Sequence, residues 1–157
     1  MGRVIIILIL VGLNFFPHEW LLDAPYMQRA LSYSFFHANW WHLAVNSIAI
    51  FTIYKKISPK DLILSYLIAI LVYPLSFRPV IGFSNILYAQ LGMRTPKLSS
   101  PWWKQASVIV FLIVTLGLVF IPRFSATTHI FSFLLGMGIS SFRRLKKDIL
   151  RDTQRYI

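Results

Sequence analysis

Six apolar segments, cut apart by prolines and basic residues, leave this chain few ways to fold. They fall at about 4–17, 38–54, 61–77, 80–93, 104–121 and 125–142. Pro59, Pro74, Pro96, Pro101 and Pro122 lie near segment ends. There the missing N–H and fixed φ of proline do least harm to a helix. Of the 157 residues, 57% are hydrophobic and 13% charged, against about 25% charged in a typical soluble domain. A chain of single-domain size cannot hide that much apolar surface from water. The sequence therefore predicts an all-α membrane protein of six transmembrane helices.

The basic residues sort by side. Arg3, Lys55, Lys56, Lys60, Arg94, Lys97, Lys104 and the tail from Arg143 to Arg155 fall on one side of the predicted spans. Arg29, Arg78 and Arg123 fall on the other. Positive charge collects on the cytoplasmic side of membrane proteins, so both termini are expected there. The net charge of +11 then reads as orientation in a membrane rather than as affinity for nucleic acid. MGRV followed by an Ile/Leu run resembles the start of a signal peptide, but no small-x-small cleavage site follows, so a retained first helix is expected. Residues 1–142 form the expected six-span domain and 143–157 a basic cytoplasmic tail. That tail, SFRRLKKDILRDTQRYI from Ser141, can lie on anionic lipid, stand as a solvated helix or stay disordered. The bare six-span core fits a bacterial inner (plasma) membrane. The expected partners are membrane lipids and transmembrane protein substrates.

The fourth segment is short. Fifteen residues separate Arg78 from Arg94, about 22 Å as helix against a hydrocarbon core of about 30 Å. The approach through Pro79 and Gly82 is therefore expected to dip inward, with Ser84 near the start of a short recessed helix. A helix with snorkelling arginines at its ends is the alternative.

No cysteine is present, which excludes disulfides, a thiol nucleophile and Cys metal ligands. The acids are Glu19, Asp23, Asp61, Asp148 and Asp152, none in the middle of a segment. That speaks against a proton-coupled transporter and against a carboxylate dyad. There is no HExxH, and scattered histidines are a weak metal signal, so neither metal nor cofactor is expected. His42 and Asn46, four apart, share a helix face, as do Ser84 and Tyr88. His129 opens the sixth segment. Each alone reads as packing or interhelical glue. Together, at similar depth on three helices, they suggest a nucleophilic site. Ser84 needs a base to take its proton, and His129 is the candidate. With no carboxylate to orient it, the pair is a dyad rather than a triad. Tyr88 can pack against the imidazole. Asn46, His42 and the Ser84 N–H can donate to an oxyanion.

These motifs resemble the rhomboid family of intramembrane serine proteases. FFHANWWHLAVN, residues 35–46, is similar to the family's His…His…Asn signature through His37, His42 and Asn46. GFSN, residues 82–85, is similar to Gly-x-Ser-Gly, with Tyr88 and Gly92 following. THIFSFLLG, residues 128–136, is similar to the stretch around the family's catalytic His. Arg29 lies eight residues before His37, where the family often has an arginine. The resemblance spans nearly the whole chain. It implies a six-transmembrane-helix bundle with a short recessed fourth helix. Ser84 would be the nucleophile and His129 the general base. His42 and Asn46 would help bind the oxyanion, and His37 and Arg29 would hold the first outer loop. The activity implied is endopeptidase cleavage of other proteins' transmembrane segments. Asn85 departs from the family's Gly and Ser132 from another. Thr127 and Thr128 replace small residues. These changes keep open a catalytically inactive relative that binds or escorts membrane helices. An unrelated small transporter or assembly factor is a third reading.

Overall fold

The computed structural model describes residues 2–16, 20–53, 58–76, 81–97, 101–102, 105–106, 108–109 and 125–154. The described residues are all-α. Helix α1 runs Gly2–Asn14, α2 Trp20–Asp23, α3 Tyr26–Ser32, α4 Trp40–Ile53, α5 Pro59–Val72, α6 Ser84–Arg94 and α7 Ala126–Gln154. Short 3-10 turns follow α3, α5 and α6.

The helix ends follow local chemistry. Pro59 opens α5 at its first residue, where its ring is pre-set for helix and no N–H is needed. Asn39 starts α4: its Oδ1 accepts the His42 N–H at 2.8 Å, satisfying a donor the helix cannot. Tyr73, Pro74 and Leu75 tighten into a 3-10 turn that ends α5.

Helix α6 is the centre of the packing. Asn85, Ile86, Leu87, Ala89, Gln90, Gly92 and Met93 are all buried, so it has no solvent stripe. Its polar residues must then find partners inside. Gln90 Nε2 donates to Ser65 Oγ of α5 at 2.9 Å. Asn85 Nδ2 donates to the Tyr33 hydroxyl at 3.0 Å. Helices α6 and α7 touch backbone to backbone. A Cβ on Gly92 would sit 2.0 Å from the Phe133 carbonyl oxygen, and one on Gly136 2.2 Å from that of Ala89. At the far end of these helices, Asp61 meets Lys97 at 3.9 Å and Arg143 at 3.1 Å. Arg144 donates to the Pro96 carbonyl there.

The structure corrects the membrane architecture. Among the described residues, no helix is long and apolar enough to cross a membrane. The expected bundle of six transmembrane helices therefore does not stand. The reason is helix length. α1, α4 and α5 hold 13, 14 and 14 residues, which at 1.5 Å each reach about 20 Å of a core about 30 Å thick. α7 is long, with 29 residues, but Arg143, Arg144, Lys146 and Lys147 end its apolar part after Phe142. The fifth expected span, 104–121, lies almost wholly outside the described residues. The expectations that rest on the spans fall with them: an integral membrane protein of the bacterial inner membrane with cytoplasmic termini, and an intramembrane serine protease cutting transmembrane segments, together with its alternative, a catalytically inactive relative binding or escorting membrane helices. The outward faces of the helices nonetheless carry exposed Leu8, Ile48, Phe51, Ile63, Leu67 and Leu71.

Candidate active site

Two helix beginnings build the site. The first is the turn into α6. Gly82 has φ +140, a conformation that L side chains rarely adopt. A Cβ there would also lie 2.5 Å from His42 Cε1. Glycine is thus required twice, by backbone and by space. The Gly82 N–H donates to the Tyr33 carbonyl at 3.0 Å. The Phe83 carbonyl accepts the N–H groups of Ile86 and Leu87, which leaves half-buried Ser84 as the first residue of the helix.

The second beginning is that of α7. Ser125 directly precedes the helix, and its carbonyl accepts from the His129 N–H at 3.4 Å and Thr128 Oγ1 at 3.1 Å. The same carbonyl meets His129 Nδ1. A carbonyl can only accept, so Nδ1 carries the ring proton and Nε2 carries a lone pair in the neutral ring. Nε2 lies 2.8 Å from Ser84 Oγ, and the Ser84 hydroxyl donates to it. Thr127 anchors this helix start by donating to the Leu75 carbonyl at 3.1 Å.

The buried imidazole of His129 has its pKa pushed down to about 4, first by desolvation and then by the nearby His42, against an upward pull from the Ser125 carbonyl. It therefore stays neutral, the form that takes a proton. Tyr88, one turn below Ser84, presents its ring edge-on to the imidazole, 4.6 Å between centroids.

Helix α4 supplies a second layer. His42 packs its ring against Gly82, and burial lowers its pKa. Fully buried His37 meets His42 at 5.3 Å, ring to ring. Asn46, one turn further along α4, is buried, and its Nδ2 makes no hydrogen bond among the described residues. Arg29 sits one turn before Tyr33 on α3, and its charge acts on the Tyr73 phenol. The structure thus brings Ser84, His129 and Tyr88 into direct contact. Gly82, His42 and His37 stand behind them, and Arg29 belongs to the α3 wall. Asn85 is fully buried. Its amide turns away from Ser84 to the Tyr33 hydroxyl.

Two contributors were missed in the sequence. The Ser125 carbonyl has only its spacing to announce it, four residues before His129 at a helix start. Tyr33 has no local signal, because its partner Asn85 is 52 residues away.

The family model of the rhomboid domain matches residues 24–145. The chain belongs to the rhomboid family. No curated protein and no solved structure matches it.

Proposed function

We propose that, in this member of the rhomboid family, Ser84 and His129 form a nucleophile–base pair that transfers acyl groups from ester donors to water. The contact that supports this reading most directly is Ser84 Oγ to His129 Nε2 at 2.8 Å, with the other ring nitrogen held on a backbone carbonyl. Ser84 Oγ attacks the carbonyl carbon of the donor, and its proton passes to Nε2. The tetrahedral intermediate collapses, the bond to the leaving group breaks, and that group departs with the proton from Nε2. Water, deprotonated in turn by Nε2, attacks the acyl carbon, and the returned proton restores the Ser84 hydroxyl. The Ser125 carbonyl takes the orienting place a carboxylate fills in a triad. Proposed oxyanion donors are the Ser84 N–H at the helix start, Asn46 Nδ2 and His42. His37 would hold the His42 ring in place.

The test is covalent. A fluorophosphonate probe should label Ser84 in the parent protein, and a nitrophenyl ester should be hydrolysed. Ser84→Ala should abolish both. His129→Ala should slow both by about 100-fold or more. Equal labelling in the parent and in His129→Ala would end the reading.

A further inference from the structure

Tyr33 is bonded at both ends to the turn that carries Ser84. Its carbonyl accepts the Gly82 N–H at 3.0 Å. Its hydroxyl lies 2.8 Å from the Ala69 carbonyl of α5 and 3.0 Å from Asn85 Nδ2. The phenol has one proton. The Ala69 carbonyl can only accept, so it takes that proton, and the phenol oxygen accepts from the Asn85 amide. Gly82 and Asn85 bracket Ser84. One residue of the 3-10 turn after α3 therefore holds the serine's turn on both sides, by its main chain before Ser84 and by its hydroxyl after it, and that hydroxyl also reaches α5. Tyr33 is 1% exposed and Asn85 0%. Its ring rests on Tyr73, 4.7 Å between centroids. Breaking the bond at the Tyr33 end would strand a buried amide donor in the first turn of α6. A buried donor without a partner costs free energy that a shift of the turn can relieve, and here that shift is one residue from the nucleophile.

We propose that Tyr33 and Asn85 are positioning residues: their hydrogen bond sets where Ser84 Oγ stands relative to His129 Nε2. The asparagine at 85 is then part of the site's construction. The proposal rests on the reading of Ser84 as a nucleophile.

The experiment is a double-mutant cycle on the full chain, with Tyr33→Phe, Asn85→Ala and the pair. It is read as the saturated rate of fluorophosphonate labelling and the probe concentration giving half that rate, alongside melting temperature. Tyr33→Phe keeps the ring and loses only the hydroxyl. It should lower the saturated rate about tenfold with half-saturation unchanged. Asn85→Ala should lower it about threefold or more. The double variant should be no slower than Tyr33→Phe alone: each change removes the Tyr33–Asn85 bond, the Ala69 bond is lost with Tyr33→Phe in both proteins, and Asn85→Ala takes away the stranded amide. A merely structural pair would shift melting while leaving the saturated rate, measured well below the melt, at the parent's value; that result overturns the proposal. So does a double variant slowed by the product of the single effects. If Tyr33→Phe does not fold, Asn85→Ala decides, and labelling at the parent rate overturns the proposal. A parent protein unlabelled at Ser84, or labelled equally without His129, overturns this proposal and the acyl-transfer reading together. A labelled parent with an additive cycle overturns the positioning role alone.

Discussion

Replacing Gly136 by alanine should disable the site from a distance. The added Cβ would lie 2.2 Å from the Ala89 carbonyl oxygen and 3.2 Å from its Cα. Ordinary contact begins at 3.4 Å. Neither obstacle is a flexible side chain, so α6 and α7 must move apart. The shortfall is about 1.2 Å, and a displacement of about 1 Å in catalytic geometry can cost about 100-fold in rate. Ala89 lies five residues after Ser84, and Gly136 seven after His129. The clash is thus within about 11 Å of the reacting pair along either helix. Moved as rigid rods, the helices would stretch the 2.8 Å contact to roughly 4 Å, beyond hydrogen-bond range. The overpacking should also destabilise the fold by about 1–3 kcal/mol. Gly136→Ala should therefore remain folded, melt lower, and label with a fluorophosphonate about 100-fold more slowly. Gly138 is the control, since a Cβ there meets nothing within 4 Å, and Gly138→Ala should label at the parent rate. A folded Gly136→Ala protein labelling at the parent rate would refute the claim that this crossing sets the Ser84–His129 distance.

Three further outcomes follow from the electrostatics. Because burial lowers the His129 pKa to about 4, the labelling rate should hold level from neutral pH down to about 5 and fall only through about 4, unlike a base with an ordinary pKa near 6.5. The folded state binds fewer protons than the unfolded chain between those values, so stability should be full above about 6.5 and decline as pH drops toward 4. A melting series against His129→Gln, which should show a smaller slope, with buried His42 supplying part of what is left, checks it. By contrast, Asp61→Asn should change stability by less than about 1 kcal/mol, because its partners Lys97 and Arg143 are more than half exposed and exposed pairs are weak. Denaturant titration at low and high salt measures it.

Much of the helical layout is legible in the apolar segments. Four of them, at about 4–17, 38–54, 61–77 and 80–93, coincide closely with α1, α4, α5 and α6. Their helical lengths are not legible. A count of apolar residues runs on through Phe15 and Phe16 and through Tyr73–Leu75, but the α-helices end at Asn14 and Val72, and the backbone bonds beyond them are tighter turns. Those lost turns separate a helix that spans a bilayer from one that does not. Helices α2 and α3 escaped notice inside the stretch between the first two segments. α7 runs on through the basic tail to Gln154, because Arg, Lys and Leu are good helix formers whether or not they are buried. At the site, the residue types pointed to Ser84 and His129. The distance between them comes from Gly92 and Gly136, whose role is close approach and not chemistry. Asn85 was opaque for a related reason. Read beside a serine it looks like an intrusion, but α6 is buried along most of its length, so a neighbouring residue can face the opposite wall.

Under the proposed acyl transfer, the same geometry sets Ser84 apart from the other serines. The hydroxyls of Ser34, Ser47, Ser132 and Ser140 are buried and make no hydrogen bond among the described residues. If an unengaged hydroxyl were sufficient, these four would compete with Ser84. A serine hydroxyl, however, attacks a carbonyl or phosphoryl centre only as its proton leaves, and a buried hydroxyl without a base has nowhere to send it. Ser84 is half-buried and already donates to a neutral imidazole. Activation and access therefore coincide at one residue. Mass spectrometry of the probe-treated protein should find the adduct on Ser84 alone. In Ser84→Ala no other serine should take it up, even though Ser132 stands one turn along α7 from His129. Transfer of the label to Ser132 in that variant would mean that His129 can serve a second hydroxyl, and that the tautomer held by Ser125 does not restrict it to Ser84.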